Sequence, residues 1–200
     1  METIVSCIIG ALIMSGDKSL IKEYTGASSS RSWTPIDFAY LAVVAVVSAI
    51  IFYAAWYVYD AAKAIGGPIF ARMISYGLWF IGAPFAATLI KKPFSGFLGE
   101  TLGALVESFI PTVGGFTNLI YGAVQGMMSE IIYAVTGWKR YDEKVAALAG
   151  AAAGPAAVAL DAILFDEIAT TGVVLAWIIA ALVSGAIYGY IVARVVKAVA

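Results

Sequence analysis

Histidine is absent from this 200-residue sequence, and cysteine occurs once, at Cys7. Without histidine the chain cannot form Ser-His-Asp or Cys-His nucleophile systems, and it has no Cys or His spacing typical of a zinc site. A single cysteine also excludes an intramolecular disulfide. We therefore expect no catalytic centre of these kinds, no enzyme activity and no bound metal or other cofactor.

Charged residues are also scarce. Only 12% of the residues are Asp, Glu, Lys or Arg, whereas 62% are hydrophobic, and the mean hydropathy is +0.93. A soluble domain carries roughly 25% charged residues, so this chain has too little polar material to cover a water-facing surface. Its net charge of −1 gives no reason to expect a nucleic-acid partner. The composition predicts an integral protein of the lipid bilayer, a multi-pass protein of the cell membrane.

The phosphate-binding pattern Gly-x-x-x-x-Gly-Lys-Ser/Thr is missing as well. A chain without this pattern does not hydrolyse ATP with the usual phosphate-binding loop. If the protein takes part in transport, the energy must therefore come from an ion gradient or from another polypeptide.

Apolar segments separated by Gly, Pro and charged residues predict an all-α bundle of six transmembrane helices. The first span opens at Thr34 and Pro35, because a proline in the first turn lacks only an N–H that would have no partner. The spans and the preceding N-terminal segment define two parts, residues 1–33 and the six-helix membrane domain 34–200. The predicted spans are residues 36–59, 69–90, 94–110, 115–136, 145–165 and 172–196.

Basic residues fall unevenly on the two sides of such a bundle. Ten of them lie in the termini and in the loops after the second and fourth spans, whereas Lys63 and Arg72 lie on the opposite side. Lys and Arg are enriched in cytoplasmic loops, so this distribution predicts that both termini are cytoplasmic. At the outer end of the first span, Trp56 and Tyr59 then belong to an interfacial aromatic belt.

Several polar residues interrupt the apolar segments between residues 76 and 141. Glu100 and Glu107 are seven residues apart, about two helical turns, and so share one face of the third span. A carboxylate at bilayer depth costs roughly 3 kcal/mol or more, and it is tolerated where it faces a cavity or a partner. We therefore expect the wall of a polar site inside the bundle. The same spacing argument adds an aromatic face of the second span and a polar face of the fourth: Tyr76, Trp79, Asn118, Tyr121 and Gln125.

The depth of these side chains follows from a rise of about 1.5 Å per residue. With Lys91 at the cytoplasmic surface, Glu107 lies near the outer end of its helix, and Glu100 and Gln125 lie near the middle of the membrane. These residues can converge on one pocket that is reached from outside. Glu130 in the fourth span is a further candidate ligand residue, but it lies deeper towards the cytoplasm, so a structural or coupling role is its alternative.

Each type of residue has a structural alternative. Tyr and Trp at helical spacing pack in the core or in the interfacial belt more often than they touch ligands, and a Gln in the membrane often bonds a neighbouring helix. The Glu residues differ, because the sequence offers no Lys or Arg at their depth for an internal salt bridge. Unpaired carboxylates beside aromatic rings suit a ligand that is cationic or donates several N–H bonds, such as an aminopyrimidine or a thiazolium ring.

Five motifs follow one another in residues 76–141: a GLWF helix, an IKKP turn, the helix GETLGALVE, a QGMMSE helix and a WKRY loop. This series resembles the YkoE family of S components, the substrate-binding membrane subunits of energy-coupling factor (ECF) transporters. The resemblance implies binding of thiamine or its hydroxymethylpyrimidine precursor. It also implies two kinds of partner, a transmembrane T component and a pair of cytoplasmic ATPases. The T component would dock on small residues of the first span, Ala42, Ala45 and Ala49.

These observations predict a subunit that binds its ligand from outside and makes or breaks no bond. Glu107 and Glu100 balance the charge of the ligand and accept its hydrogen bonds, Trp79 and Tyr76 stack on its ring, and the amides of the fourth span orient its polar edge. Two alternatives stay open. One is a stand-alone proton- or cation-coupled carrier or channel in which the Glu residues relay ions. The other is a structural subunit whose Glu residues pair with Lys or Arg of another chain.

Overall fold

The computed structural model describes residues 32–112 and 114–199, and within these ranges all regular structure is helical. Residues 1–31 of the predicted N-terminal segment lie outside the described residues. A 3-10 helix, Tyr76–Phe80, joins the first two α-helices. In chain order the α-helices are α1 (Pro35–Ser75), α2 (Gly82–Ile90), α3 (Ser95–Glu107), α4 (Thr117–Val135), α5 (Glu143–Leu164) and α6 (Thr171–Val199).

α1 begins where the sequence predicts. The Thr34 side chain accepts a hydrogen bond from the backbone N–H of Asp37, and the Asp37 carboxylate accepts one from the backbone N–H of Thr34. This reciprocal capping box satisfies two N–H groups that the helix itself cannot bond. Pro35 occupies the first turn, where its missing N–H has no role.

α1 is longer than the predicted first span, and it contains most of the predicted loop. The chain stays helical through residues 60–66 and leaves helical geometry at Gly67, with φ 77° and ψ −177°, directly before Pro68. Glycine reaches a positive φ without steric strain, and the residue before a proline avoids the helical region, so this dipeptide breaks the helix. The predicted second span, 69–90, is therefore three consecutive pieces: the end of α1, the 3-10 helix and α2.

The remaining predicted spans correspond to α3–α6, with boundaries that differ by one to three residues. α3 has 13 residues and is about 20 Å long, which is shorter than the hydrocarbon core of roughly 30 Å. Among the described residues, three stretches are long and apolar enough to cross a membrane by length and composition: Pro35–Ile90, Glu143–Leu164 and Thr171–Val199.

Small residues bring the neighbours of α3 very close to it. α3 packs against α1, α2 and α4. A Cβ atom at Gly99 would lie 2.7 Å from the carbonyl oxygen of Gly82, and one at Gly122 would lie 3.1 Å from the carbonyl oxygen of Glu100. Such glycines let helix backbones approach closely in a membrane. The helix that carries both predicted acidic site residues is thereby fixed between three others.

Candidate functional site

A cavity of about 300 Å³ lies between α1, the 3-10 helix, α3, α4 and α5. Its volume is at the lower end of the range for small-molecule pockets, ~300–1,000 Å³. Aromatic rings and carboxylates form most of its wall. The cavity has an acidic region on α3, an aromatic wall on α1 and the 3-10 helix, and an ion-paired end at α5.

Glu107 is the last residue of α3, and only 2% of its surface is exposed. Trp56 of α1 donates a hydrogen bond from its indole Nε1 to Oε1 of Glu107 over 3.0 Å. No ion pair among residues 32–112 and 114–199 involves Glu107. Its carboxyl group therefore lines the cavity without an ion-pair partner in this part of the chain.

Glu100 lies two turns earlier on α3 and is 1% exposed. Its Oε2 accepts a 2.7 Å hydrogen bond from the backbone N–H of Ala83, in the first turn of α2. Its Oε1 is buried and has no hydrogen-bond partner in the described part of the chain. Buried polar atoms in native proteins are nearly always hydrogen-bonded. Oε1 of Glu100 is thus a buried acceptor without a partner, on a residue that lines the cavity.

The aromatic wall is held in place by edge-to-face contacts and one hydrogen bond. The rings of Trp56 and Trp79 lie edge to face with centroids 5.1 Å apart, and Tyr76 and Tyr59 lie 6.0 and 6.1 Å from Trp79. The indole Nε1 of Trp79 donates to the carbonyl oxygen of Phe52 over 3.0 Å. Faces of such rings attract cations and stack on planar ligands.

The far end of the cavity holds a carboxylate that is well satisfied by the protein. Asp161 of α5 accepts a 2.7 Å hydrogen bond from the Tyr121 hydroxyl and a second from the Tyr76 hydroxyl. The buried guanidinium of Arg72 lies 3.7 Å from Asp161 and pairs with Glu167. The charge of Asp161 is therefore compensated within the chain, in contrast to the two carboxylates of α3.

Proteins of known family resemble this chain over most of its length. The family model described as "ABC-type cobalt transport system, permease component" matches residues 36–156. A Bacillus subtilis (strain 168) protein with the provisional name HMP/thiamine permease protein YkoE is 29% identical over 168 residues, 84% of each chain. The crystal structure of an S component of an ECF transporter matches with a TM-score of 0.76 and 28% identity, and covers 84% of this chain and 85% of that one.

The chain belongs to this permease family, as an ECF S component. The resemblance predicted from the motifs of residues 76–141 is confirmed. These relatives are transport subunits, so the S component serves transport and not catalysis, and it is a multi-pass protein of the cell membrane.

The cavity of the S component brings together seven of the eight residues that the sequence predicts as ligand contacts. The aromatic pair comes from the 3-10 helix, the acidic pair from α3 and the polar group from α4, because each pair or group shares a helix face as its spacing requires. The seven are Tyr76, Trp79, Glu100, Glu107, Asn118, Tyr121 and Gln125.

Glu130 is the eighth predicted residue, and the structure places it outside the cavity. Its buried carboxylate accepts hydrogen bonds from the backbone N–H groups of Phe94 and Phe97, over 2.8 and 3.0 Å, and from the indole Nε1 of Trp138 over 2.7 Å. Three donors within the chain satisfy this carboxylate. The structural or coupling alternative is therefore the one that the geometry supports for Glu130.

The three alanines predicted to dock a T component do not form one exposed surface. Ala45 and Ala49 are 4% and 1% exposed, and only Ala42 of the three is exposed. The buried side of α1 packs against other helices of the bundle, including α3, where a Cβ atom at Gly103 would lie 2.9 Å from the Cβ of Ser48. Small residues on this side of α1 allow close packing inside the chain.

Four residues around the cavity were not predicted as site residues. The sequence assigns Trp56 and Tyr59 to an interfacial belt and Arg72 to the outer side of the membrane, and it gives Asp161 no role. Arg72 is instead a buried cation, 1% exposed, that pairs with acidic residues of α5 and of the segment after it. The sequence could have indicated Asp161, since it is a carboxylate within an apolar span, as Glu100 is.

Proposed function

We propose that this S component binds thiamine or its hydroxymethylpyrimidine precursor from outside the cell. The observation that carries the proposal is that two buried carboxylates, Glu100 and Glu107, line one cavity and form no ion pair within residues 32–112 and 114–199. Such a cavity favours a ligand that is cationic or donates N–H groups, and its aromatic wall favours planar rings. Thiamine combines an aminopyrimidine with a permanently charged thiazolium.

Each part of the cavity then has a role. Oε1 of Glu100 accepts an N–H of the aminopyrimidine, and Glu107 balances the positive charge. The rings of the ligand stack on Trp79 and on its neighbours Trp56 and Tyr76. The remaining polar contacts come from α4: Asn118, Tyr121 and Gln125.

The similarity to a relative named as an HMP/thiamine permease supports this ligand class. The description of the matching family names cobalt instead. A cobalt ion prefers several nitrogen, oxygen or sulfur ligands converging on one point. Residues 32–112 and 114–199 contain no group of three or more His, Cys, Asp or Glu that could hold a metal ion. The donor set therefore favours an organic cation.

The proposal includes six membrane crossings with both termini in the cytoplasm. The distribution of basic residues supports this topology, and it puts the cavity residues Asp60 and Lys63 on the outer side. In a Cys7→Ser background, a membrane-impermeant maleimide added to whole cells should label Lys63→Cys and leave Lys139→Cys unlabelled. Labelling of Lys139→Cys from outside would contradict the topology.

The proposed partners are a T component and two cytoplasmic ATPases, as expected for a chain without a phosphate-binding loop of its own. Ala42 stays available on the exposed side of α1 for the T component. Uptake of thiamine by vesicles should accordingly require all of these subunits. Uptake by the purified chain alone, under an ion gradient, would favour a stand-alone carrier.

Equilibrium titration of the purified chain, followed by tryptophan fluorescence, tests the ligand. Trp56 and Trp79 lie in the cavity wall, so an occupied cavity should change their emission. We expect saturable changes with thiamine or hydroxymethylpyrimidine, and none with Co²⁺. Saturation by Co²⁺ without a response to either organic ligand would overturn the proposal.

A further inference from the structure

The N-terminus of α3 is capped from another helix. Its N-cap residue, Phe94, provides no side-chain hydrogen bond to the first turn. The carboxylate of Glu130, in α4, accepts the backbone N–H groups of Phe94 and Phe97 instead. A Cβ atom at Gly96 would lie 2.9 Å from Oε2 of Glu130, so a glycine is needed there to admit the carboxylate. A negative group at this place satisfies N–H groups that a helix start leaves unpaired.

The same carboxylate ties down a second turn, the one after α4. The Trp138 indole donates to Oε1 of Glu130, the oxygen that also accepts the Phe94 N–H. Both turns hold non-glycine residues at positive φ: Lys91 at 56°, Phe94 at 65° and Trp138 at 55°. Such conformations persist only where surrounding contacts enforce them, and they concentrate at functional and switching segments. Both turns donate hydrogen bonds to the carboxylate of Glu130.

Glu130 and its hydrogen-bond donors are linked to the cavity by a close contact between α3 and α4. Phe97 lies one turn before Glu100 on α3, and Gly126 lies one turn before Glu130 on α4. A Cβ atom at Gly126 would lie 3.0 Å from the Cβ of Glu100 and 3.0 Å from the carbonyl oxygen of Phe97. α3 and α4 therefore touch between the cavity and the capped end. A shift of α3 at Glu100 on ligand binding would therefore act on α4 through this contact.

The two turns also expose side chains that a neighbouring protein can contact. The ring of Phe94 is 51% exposed and lies 5.8 Å from the Trp138 ring, centroid to centroid. Lys91, Lys139 and Arg140 are exposed beside them. In the proposed topology this surface is cytoplasmic, on the side where the ATPases act.

We propose that Glu130 is a positioning residue that couples occupancy of the cavity to the conformation of these two turns, Lys91–Phe94 and Gly137–Arg140. The inference rests on the proposed function for its ligand, thiamine. Glu130 does not touch the ligand. It transmits the position of α3 to the surface of the S component through the Phe97 and Trp138 donors.

Hydrogen–deuterium exchange on the full-length protein, with and without saturating thiamine, tests the coupling. In the wild type, thiamine should slow exchange about threefold or more in peptides covering residues 91–99 and 134–142, although neither contains a cavity residue. In Glu130→Gln the slowing should disappear, because an amide NH₂ replaces one of the two accepting oxygens. The affinity for thiamine, measured by calorimetry, should change by less than about threefold if Glu130 acts only through position.

A milder variant, Trp138→Phe, tests the coupling even if Glu130→Gln fails to fold. Trp138→Phe removes one donor and leaves the cap of α3 intact, so thiamine should still slow exchange in residues 91–99 but no longer in 134–142. Thiamine binding with unchanged exchange in the wild type, or with a full response in both variants, would overturn the coupling alone. If calorimetry detects no thiamine binding by the wild type, the proposed function fails, and the coupling to thiamine fails with it.

Discussion

The indole Nε1 of Trp56 donates a 3.0 Å hydrogen bond to Oε1 of Glu107 and so joins α1 to the end of α3 at the cavity. Trp79 meets Trp56 edge to face, 5.1 Å away. One acidic group and two ring faces are thereby fixed next to each other. Charge attraction and ring stacking can therefore act on the same ligand, which is the arrangement that a planar cation requires.

Replacement of Glu107 by Gln keeps the shape of the side chain and removes its charge. Hydrogen bonds to charged groups contribute about 1.5–3 kcal/mol, so we expect the Kd for thiamine to rise about 10- to 100-fold in isothermal titration calorimetry. The control Glu143→Gln alters a carboxylate that pairs with Lys197 outside the cavity, and it should leave the Kd unchanged. An unaltered Kd in Glu107→Gln would show that this carboxylate does not contact the ligand.

Glu100 is expected to recognise the amino group of the pyrimidine. Its buried Oε1 lacks a partner, so a ligand N–H donor gains a hydrogen bond there that a carbonyl cannot make. The wild type should prefer thiamine over oxythiamine, in which a carbonyl replaces the amino group. Glu100→Gln should reduce this preference about tenfold in competition titrations. A preference that is the same in both proteins would assign recognition of the amino group to another residue.

Acidic solution should weaken thiamine binding. The thiazolium keeps its positive charge at all pH values, whereas protonation of Glu100 or Glu107 removes the negative charge that attracts it. The affinity should therefore be lower at about pH 5 than at about pH 8, because burial favours the neutral form of a carboxyl group. The double variant Glu100→Gln/Glu107→Gln should lack this component of the pH dependence. A flat profile in the wild type would indicate that neither carboxylate contributes its charge.

The contact between α5 and α6 should tolerate no side chain at its centre. A Cβ atom at Gly150 would lie 2.2 Å from the carbonyl oxygen of Gly185, whereas Gly172 at the start of α6 has no atom within 4 Å of its Cβ position. Gly150→Ala should therefore destabilise the protein by about 1–3 kcal/mol or more. Gly172→Ala, the matched control, should not. Thermal unfolding in detergent measures both, and equal melting temperatures would contradict the packing described here.

The parts of the site that could be predicted depend on helical period. Glu100 and Glu107 are seven residues apart, so they had to share a face of any helix that contains them. Their burial in an apolar segment indicated a cavity, because an unpaired carboxylate is not tolerated against lipid. The same reasoning recovered the polar face of α4. The shared faces of α3 and α4 follow from residue spacing alone, whatever the arrangement of the helices.

The parts that could not be predicted depend on how helices face one another. Lipid and protein interior are both apolar, so the spacing of Ala45 and Ala49 could not reveal that they point into the bundle. Arg72 lies near the outer end of the predicted second span, and the sequence could not reveal that Asp161 and Glu167 compensate its charge in the folded chain. Glu130 shares with Glu100 its burial in a span, and only the position of the α3 start distinguishes the two roles.

The most direct test of the account is calorimetric titration of thiamine into the purified wild type and into Glu100→Gln/Glu107→Gln. We expect saturable binding at one site in the wild type and a Kd higher by about 100-fold or more in the double variant, which should keep the wild-type melting temperature. If a folded double variant binds thiamine as tightly as the wild type, buried charge in the cavity does not hold the ligand.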